Sequence, residues 1–133
     1  MSDITTVILA AGNSTRFKAS KSKLVYPLCG LPIVSHIFNI AKKISGKNIL
    51  IVSNEKNKEE LKLILNTSKL VVQKKQKGTA DAIEQVKKYV KSKNILILFG
   101  DTPLVEVKDI RKLVSKFKIS KAKASLIAFN TLE

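Results

Sequence analysis

Asn94-Ile95-Leu96-Ile97-Leu98-Phe99-Gly100-Asp101 is the stretch on which the fold turns. Its apolar residues run without the alternation of a strand that keeps one face in water, so it suits a strand covered by helices on both sides, the usual setting of a parallel sheet. Asn48–Val52 reads the same way, and shorter strand-like runs lie at Thr5–Ala10, Lys69–Val72 and Ser125–Phe129. The intervals carry helical spacing. Ile33, Val34, Ile37, Phe38, Ala41 and Ile44 recur at three- and four-residue steps after Pro32, and Gly46 closes the pattern. Leu61, Ile64 and Leu65 mark a shorter helix. Ala80, Ile83, Val86 and Val90 mark a third, with Thr79 as its cap, and Val107, Ile110, Leu113, Val114 and Phe117 mark a fourth. This alternation predicts a three-layer, doubly wound α/β fold with a mostly parallel sheet.

The 133 residues are enough for one domain that buries roughly two thirds of its unfolded surface. A hydrophobic share of 44% with five Gly and three Pro excludes disordered and collagen-like chains, and the apolar runs are strand-sized rather than membrane-spanning. Cys29 is the single cysteine, which leaves no internal disulfide and, with one histidine, no cysteine-based zinc site. The start MSDITTVILAAG lacks the basic region of a signal peptide, so a cytoplasmic protein is expected and the two glycosylation-like triplets at Asn13 and Asn66 are coincidental. The formal net charge of +15 raises the question of nucleic acid. Only Arg16 and Arg111 of the 25 basic residues are arginine, however, and the lysines are scattered over helices and loops. That pattern speaks for a solvated lysine-rich surface rather than base readout, so no specific nucleic-acid partner and no membrane is expected.

In an open parallel sheet, ligands bind outside the carboxyl ends of the strands. After the first strand come Leu9, Ala10, Ala11, Gly12 and then Arg16 and Lys23, a small-residue turn followed by cations that suits an anionic ligand lying on the backbone. It is neither a Walker loop nor the dinucleotide fingerprint, because the required glycines and the lysine-serine pair are missing. After the fourth strand, Gly100-Asp101 either caps a turn or holds a divalent cation. Gln73 ends the third strand, and its amide offers a donor and an acceptor to a base edge, although as a lone residue it reads as a surface glutamine. Gly78-Thr79 alone is a turn and a helix cap. The exit of the second strand, Ser53-Asn54, carries no evident chemistry. The region 12–30 has neither period and marks a functional loop, with some extended structure possible at Lys23–Leu28. His36 is a half-exposed helix residue, Cys29 a small packing residue, and Asp81 with Glu84 suits the first turns of a helix.

Taken together, Leu9-Ala10-Ala11-Gly12-Asn13-Ser14-Thr15-Arg16, then Lys23 and Gly30-x-Pro32, resemble the L-A-A-G-x-G-T-R…P-K…G-x-P signature of sugar-nucleotide pyrophosphorylases. Gln73 and Gln76-x-Gly78-Thr79-Ala80-x-Ala82 resemble the corresponding segment of N-acetylglucosamine-1-phosphate uridylyltransferases, and Phe99-Gly100-Asp101-x-Pro103-Leu104 their G-D-x-P-L turn. Ser14 stands where that family has glycine, and Ser22 where it has proline before the lysine. The resemblance implies a Rossmann-like nucleotide-diphospho-sugar transferase fold, truncated to the nucleotide-binding half over residues 1–133, without a sugar-binding half or an acetyltransferase β-helix. It implies that Leu9 to Gly12 contact the nucleoside, that Gln73, Gly78 and Thr79 read uracil, that Arg16 and Lys23 act on the triphosphate, and that Phe99, Gly100 and Asp101 border the nucleotide with Asp101 on Mg²⁺. The implied reaction joins UTP and a sugar-1-phosphate such as N-acetylglucosamine-1-phosphate, giving pyrophosphate and the cell-wall precursor UDP-N-acetylglucosamine, with a second copy or a separate chain supplying the missing half. A nucleotide-binding remnant without turnover and a lysine-rich polyanion binder are the alternatives.

Overall fold

The computed structural model describes residues 3–13, 21–67 and 69–128. Its centre is strand β1 (Ile4–Leu9), which is paired in parallel on both sides. Further along come a short hairpin of β2 (Pro27–Leu28) and β3 (Leu31–Pro32), helix α1 (Ile33–Ser45), β4 (Ile49–Ser53), α2 (Lys58–Leu65), β5 (Leu70–Val72), α3 (Thr79–Val86), β6 (Asn94–Phe99) and α4 (Val107–Ser120). The main sheet has the order β5-β4-β1-β6, all parallel.

β1 sorts the core by the parity of its residues. Ile4, Ile8 and, just past the strand, Ala10 point to one face, where Val34, Ile37, Ala41 and Ile44 of α1 pack with Leu61 and Leu65 of α2 and Ile110 of α4. Val7 and Ala11 point to the other face and meet Ala82 and Val86 of α3. The layers are thus α/β/α as the apolar strands predict, with, among the described residues, three helices on one side and one on the other. On the thinner side β6 is incompletely covered: Ile95 and Phe99, in register with Thr5 and Leu9, stay 40% and 49% exposed. Within the sheet, the Thr6 hydroxyl is partnered across layers, its Oγ1 lying 2.7 Å from Ser45 Oγ of α1.

The elements end where their sequences require. Gly46, at φ 60°, terminates α1 in a conformation costly for a residue with a Cβ. Four sequence expectations are corrected. Thr79 is the first residue of α3 and not its cap; Gly78, at φ 97°, holds the cap position, which needs a positive φ that glycine supplies most readily. Cys29 does not pack inward. It sits exposed with Gly30 at the tip of the β2–β3 hairpin, both at positive φ, because a two-residue hairpin needs that pair of conformations and turns its tip to solvent. Within 12–30, the extended structure expected over Lys23–Leu28 forms at Pro27–Leu28, while Lys23–Val25 is a turn of 3₁₀ helix instead. Ser125–Ala128 forms no strand, because an apolar segment becomes one only beside a ladder partner, and none of the described strands pairs with it; Phe129 lies outside the described residues.

The exit of β1 is fixed by an Asn-x-x-Asn turn after β4. Asn57 Nδ2 donates to the carbonyl of Ala10 at 2.8 Å, and Asn54 Nδ2 donates to that of Ala11 at 3.0 Å. The two asparagines also brace each other. Asn57 Oδ1 accepts from the Asn54 N–H and Asn54 Oδ1 from the Asn57 N–H, at 3.0 and 2.9 Å. Both side chains belong to buried residues, 8% and 3% exposed. The exit of β4 is therefore no neutral connection. Replacing Asn57 by Ala leaves the Ala10 carbonyl and the Asn54 N–H buried without these partners. Urea denaturation is expected to show a loss of about 2–4 kcal/mol, against under about 0.5 kcal/mol for the surface control Lys118→Ala; equal midpoints for the two variants would contradict the brace.

Candidate functional site

Because the four strands of the main sheet are parallel, their exit loops gather at one end. There they enclose a cleft of about 870 Å³. Its floor is the β1 exit. Ala10 and Ala11 are buried with their carbonyls held from behind by the two asparagines, while Gly12 is exposed and a Cβ placed on it would touch nothing. The protein itself does not demand glycine at position 12. A ligand lying on that backbone would.

One wall is the loop from β5 to α3. Gln76 Nε2 reaches across to the Ala11 carbonyl at 2.5 Å and to Asn13 Oδ1 at 2.7 Å, tying this loop to the floor. Gln73 is 5% exposed, so the solvated glutamine suggested by its sequence context is not what forms. Its own N–H donates to the Ser53 carbonyl at 2.8 Å, continuing the sheet pairing one residue past β5. Its Nε2 donates to the Gly78 carbonyl at 3.2 Å and to Asp81 Oδ2 at 2.6 Å.

The opposite wall brings Lys23 to Asp101, with Nζ 2.5 Å from Oδ2. Both side chains keep more than a third of their surface exposed, so the pair adds little to stability; its interest is chemical. Gly100 explains how Asp101 comes so close to the floor. Its N–H donates to the Leu9 carbonyl at 2.9 Å, and a Cβ there would lie 3.2 Å from that oxygen.

Of the residues expected from sequence, Leu9, Ala10, Ala11, Gly12, Lys23, Gln73, Gly78, Thr79, Phe99 and Asp101 all line this cleft. Gly100 stands behind it. Arg16 lies outside the described residues. Sequence reading passed over Asn54 and Asn57, whose Asn-x-x-Asn spacing directly after a buried strand was the available signal. It also placed Asp81 only as an acid favourable to a helix start, which is true of its position but omits Gln73. His36 stays apart from the cleft, its Nε2 2.8 Å from the Leu28 carbonyl.

The donor set can be tested against a metal. Among the described residues, no three His, Cys, Asp or Glu side chains cluster as a protein cage would require. Asp101 is one carboxylate that already faces a cation, the Lys23 ammonium. Such a site fits an ion like Mg²⁺, which takes one or two protein carboxylates and completes its shell with phosphate and water.

Solved structures share this architecture. A nucleotidyl transferase from Methanothermobacter thermautotroptrophicus superposes with a TM-score of 0.68 at 19% identity, over 86% of this chain and 58% of that one. CMP:2-keto-3-deoxy-manno-octonic acid synthetase complexed with CTP gives 0.71 at 18% identity, over 91% and 49%. At such identities the likeness concerns the fold. In sequence, the bifunctional protein GlmU of Buchnera aphidicola subsp. Schizaphis graminum is 42% identical over 120 residues, which are 89% of this chain and 26% of that protein. The chain spans about a quarter of the length of the curated relatives it matches. Residues 6–131 match the model of the MobA-like NTP transferase domain, and with the motifs and the cleft on the strand exits in agreement, the chain belongs to that family.

Proposed function

We propose that the cleft binds UTP together with Mg²⁺, and that the chain is the nucleotide-binding half of a domain that transfers UMP to a sugar-1-phosphate. The observation that carries this reading is the convergence of three unlike features in one cleft: an open backbone at Gly12, an amide wall at Gln73 and Gly78, and the facing charges of Lys23 and Asp101. A base, a ribose-bearing backbone and a metal-bound polyphosphate need those three. The polyanion reading fares worse, since Lys23 is the one lysine among the described residues that line the cleft.

In this reading a phosphate oxygen of the acceptor attacks the α-phosphorus of UTP in line, the bond to the bridging oxygen breaks, and pyrophosphate leaves with that electron pair. The acceptor phosphate, with a second pKa near about 6, is ionised at neutral pH and needs no general base. The chain's task is placement and charge neutralisation. The loop from Leu9 to Gly12 supports the nucleoside, and Lys23 balances phosphate charge. Arg16, from its place in the motif, joins Lys23 on the triphosphate. Asp101 would hold Mg²⁺, which when bound would supply Lewis-acid stabilisation of phosphate charge. N-acetylglucosamine-1-phosphate is the acceptor suggested by the uridylyltransferase motifs. Groups that hold it in line are assigned to polypeptide outside these 133 residues, and the cytoplasm is the proposed setting.

The Lys23–Asp101 pair gives this proposal a crossing test. Without metal, Asp101 repels the polyphosphate and occupies the lysine. Asp101→Asn is therefore expected to tighten metal-free UTP binding by about three- to tenfold and to abolish the gain that Mg²⁺ confers on the wild type. Isothermal titration with and without Mg²⁺ measures both arms, and a Mg²⁺ gain undiminished in the variant would remove Asp101 from the metal site.

A second comparison separates a built site from general basicity. Lys23→Ala is expected to weaken UTP binding about tenfold or more, and Lys118→Ala less than twofold. Equal losses would favour the polyanion reading.

Turnover is the third measure. Purified chain with UTP, Mg²⁺ and N-acetylglucosamine-1-phosphate is expected to release little pyrophosphate, because in-line positioning of an acceptor is worth about 7–11 kcal/mol of barrier. Rapid release that Asp101→Ala abolishes would show that the chain, alone or as a self-assembly, holds the acceptor by itself.

A further inference from the structure

Gln73 could in principle turn either end of its amide toward a ligand. The structure decides which. Its Nε2 lies 3.2 Å from the Gly78 carbonyl oxygen and 2.6 Å from Asp81 Oδ2, and neither partner can donate. Turning the amide over would set Oε1 against two oxygens at those distances. Both hydrogens of the NH₂ group are thus engaged, and the carboxylate bond is the stronger of the two because its acceptor is charged. What remains is Oε1. It accepts no hydrogen bond among the described residues, and it is not sealed off, since Ser53 Oγ is the sole fully buried side-chain polar atom there without a partner. The wall therefore shows the cleft a free acceptor at Gln73 Oε1, and the N–H of Gly78, the residue whose carbonyl the Gln73 amide bonds, donates to no group among the described residues.

We infer that Asp81 is a positioning residue for base specificity: by holding the NH₂ of Gln73 it leaves Oε1 as the reading atom, so that the cleft selects a pyrimidine bearing hydrogen on N3 over one whose N3 is a bare acceptor. This rests on the nucleotide reading above and deepens it. Uracil has N3–H flanked by carbonyl oxygens, and that hydrogen is what a free Oε1 accepts. Cytosine has the reverse, an unprotonated N3 beside an amino group, and would set a lone pair against Oε1. A site whose polar groups are fixed in advance rejects the mismatched base because those groups then lose their partners. Asp81 need not touch the base. Without its carboxylate only the longer, neutral bond to the Gly78 carbonyl, at 3.2 Å, opposes turning the amide to present a donor, so cytosine gains what uracil loses.

The test is the ratio of CTP to UTP dissociation constants, measured by isothermal titration with Mg²⁺ on the full chain. The wild type is expected to favour UTP at least about tenfold. In Asp81→Ala the preference should fall below about threefold, largely through tighter CTP binding. Asp81→Asn still offers Gln73 an amide oxygen and is expected to keep most of the preference. Circular dichroism establishes that each variant folds, and Asp81→Ser, too short to replace the contact, stands in if the alanine variant does not. Equal weakening of both nucleotides with an unchanged ratio would show a merely structural residue and overturn the inference while leaving the nucleotide site intact. A wild type that favours CTP would overturn it as well. A wild type that binds neither nucleotide would overturn the nucleotide reading, and this inference with it.

Discussion

The site depends first on two carbonyl groups. At the end of β1 the chain leaves the sheet, so Ala10 and Ala11 lose the regular ladder just where they are still buried. Their oxygens are met by Asn57 and Asn54, which approach from the neighbouring strand's exit. A buried carbonyl without a partner costs more than one hydrogen bond returns. The brace thus holds the cleft floor in one conformation, and it frees the opposite side of that backbone, at Gly12, to face outward. Asn57 precedes α2 at a position where asparagine ordinarily caps the helix, yet its side chain makes no cap bond there. It serves the neighbouring loop instead.

Around that floor, the walls are tied rather than free. Gln76 bonds the β5–α3 loop to Ala11 and Asn13, Gln73 bonds the same loop to Gly78 and Asp81, and Gly100 lets β6 approach within hydrogen-bond distance of Leu9. The Gln76 and Gly100 ties join different strand exits, and the Gln73 ties lock the β5–α3 loop onto the start of α3. A cleft assembled this way has its polar groups oriented before any ligand arrives, which is the condition under which polar contacts discriminate between similar ligands. The exception is the Lys23–Asp101 pair, whose partly exposed charges neutralise each other at modest gain and are open to exchange.

The fold is asymmetric in the same sense as the site. Among the described residues three helices cover one face of the sheet and α3 covers part of the other, leaving Ile95 and Phe99 of β6 partly exposed beside the cleft wall. Phe99 both ends β6 and lines the cleft, so the thinly covered face and the site share a border.

The sequence by itself determined the layers, the alternation of the four main strands with the four helices, and the end of the sheet at which the candidate cleft lies. Apolar periodicity is a local quantity: it reports which residues are buried, and in an all-parallel sheet burial of both strand faces and the position of the exits follow from it. Motif spacing likewise marked Gly12, Lys23, Gln73, Gly78 and Asp101 as candidates before any coordinates. Only the tertiary structure decided what those residues bond to. Lys23 and Asp101 are 78 positions apart, Asn57 and Ala10 are 47, and no periodicity links either pair. Gln73 looked solvated because a glutamine among lysines is polar in every local measure, and became buried because α3 folds back over it with Asp81 in reach. Cys29 and the stretch at Ser125–Ala128 failed in the opposite direction: small or apolar residues pack inward only if the chain supplies a surface to pack on, and a hairpin tip and an unpaired segment have none. Hydrogen-bond partners and covering surfaces are properties of juxtaposition, and juxtaposition exists only once the chain has folded.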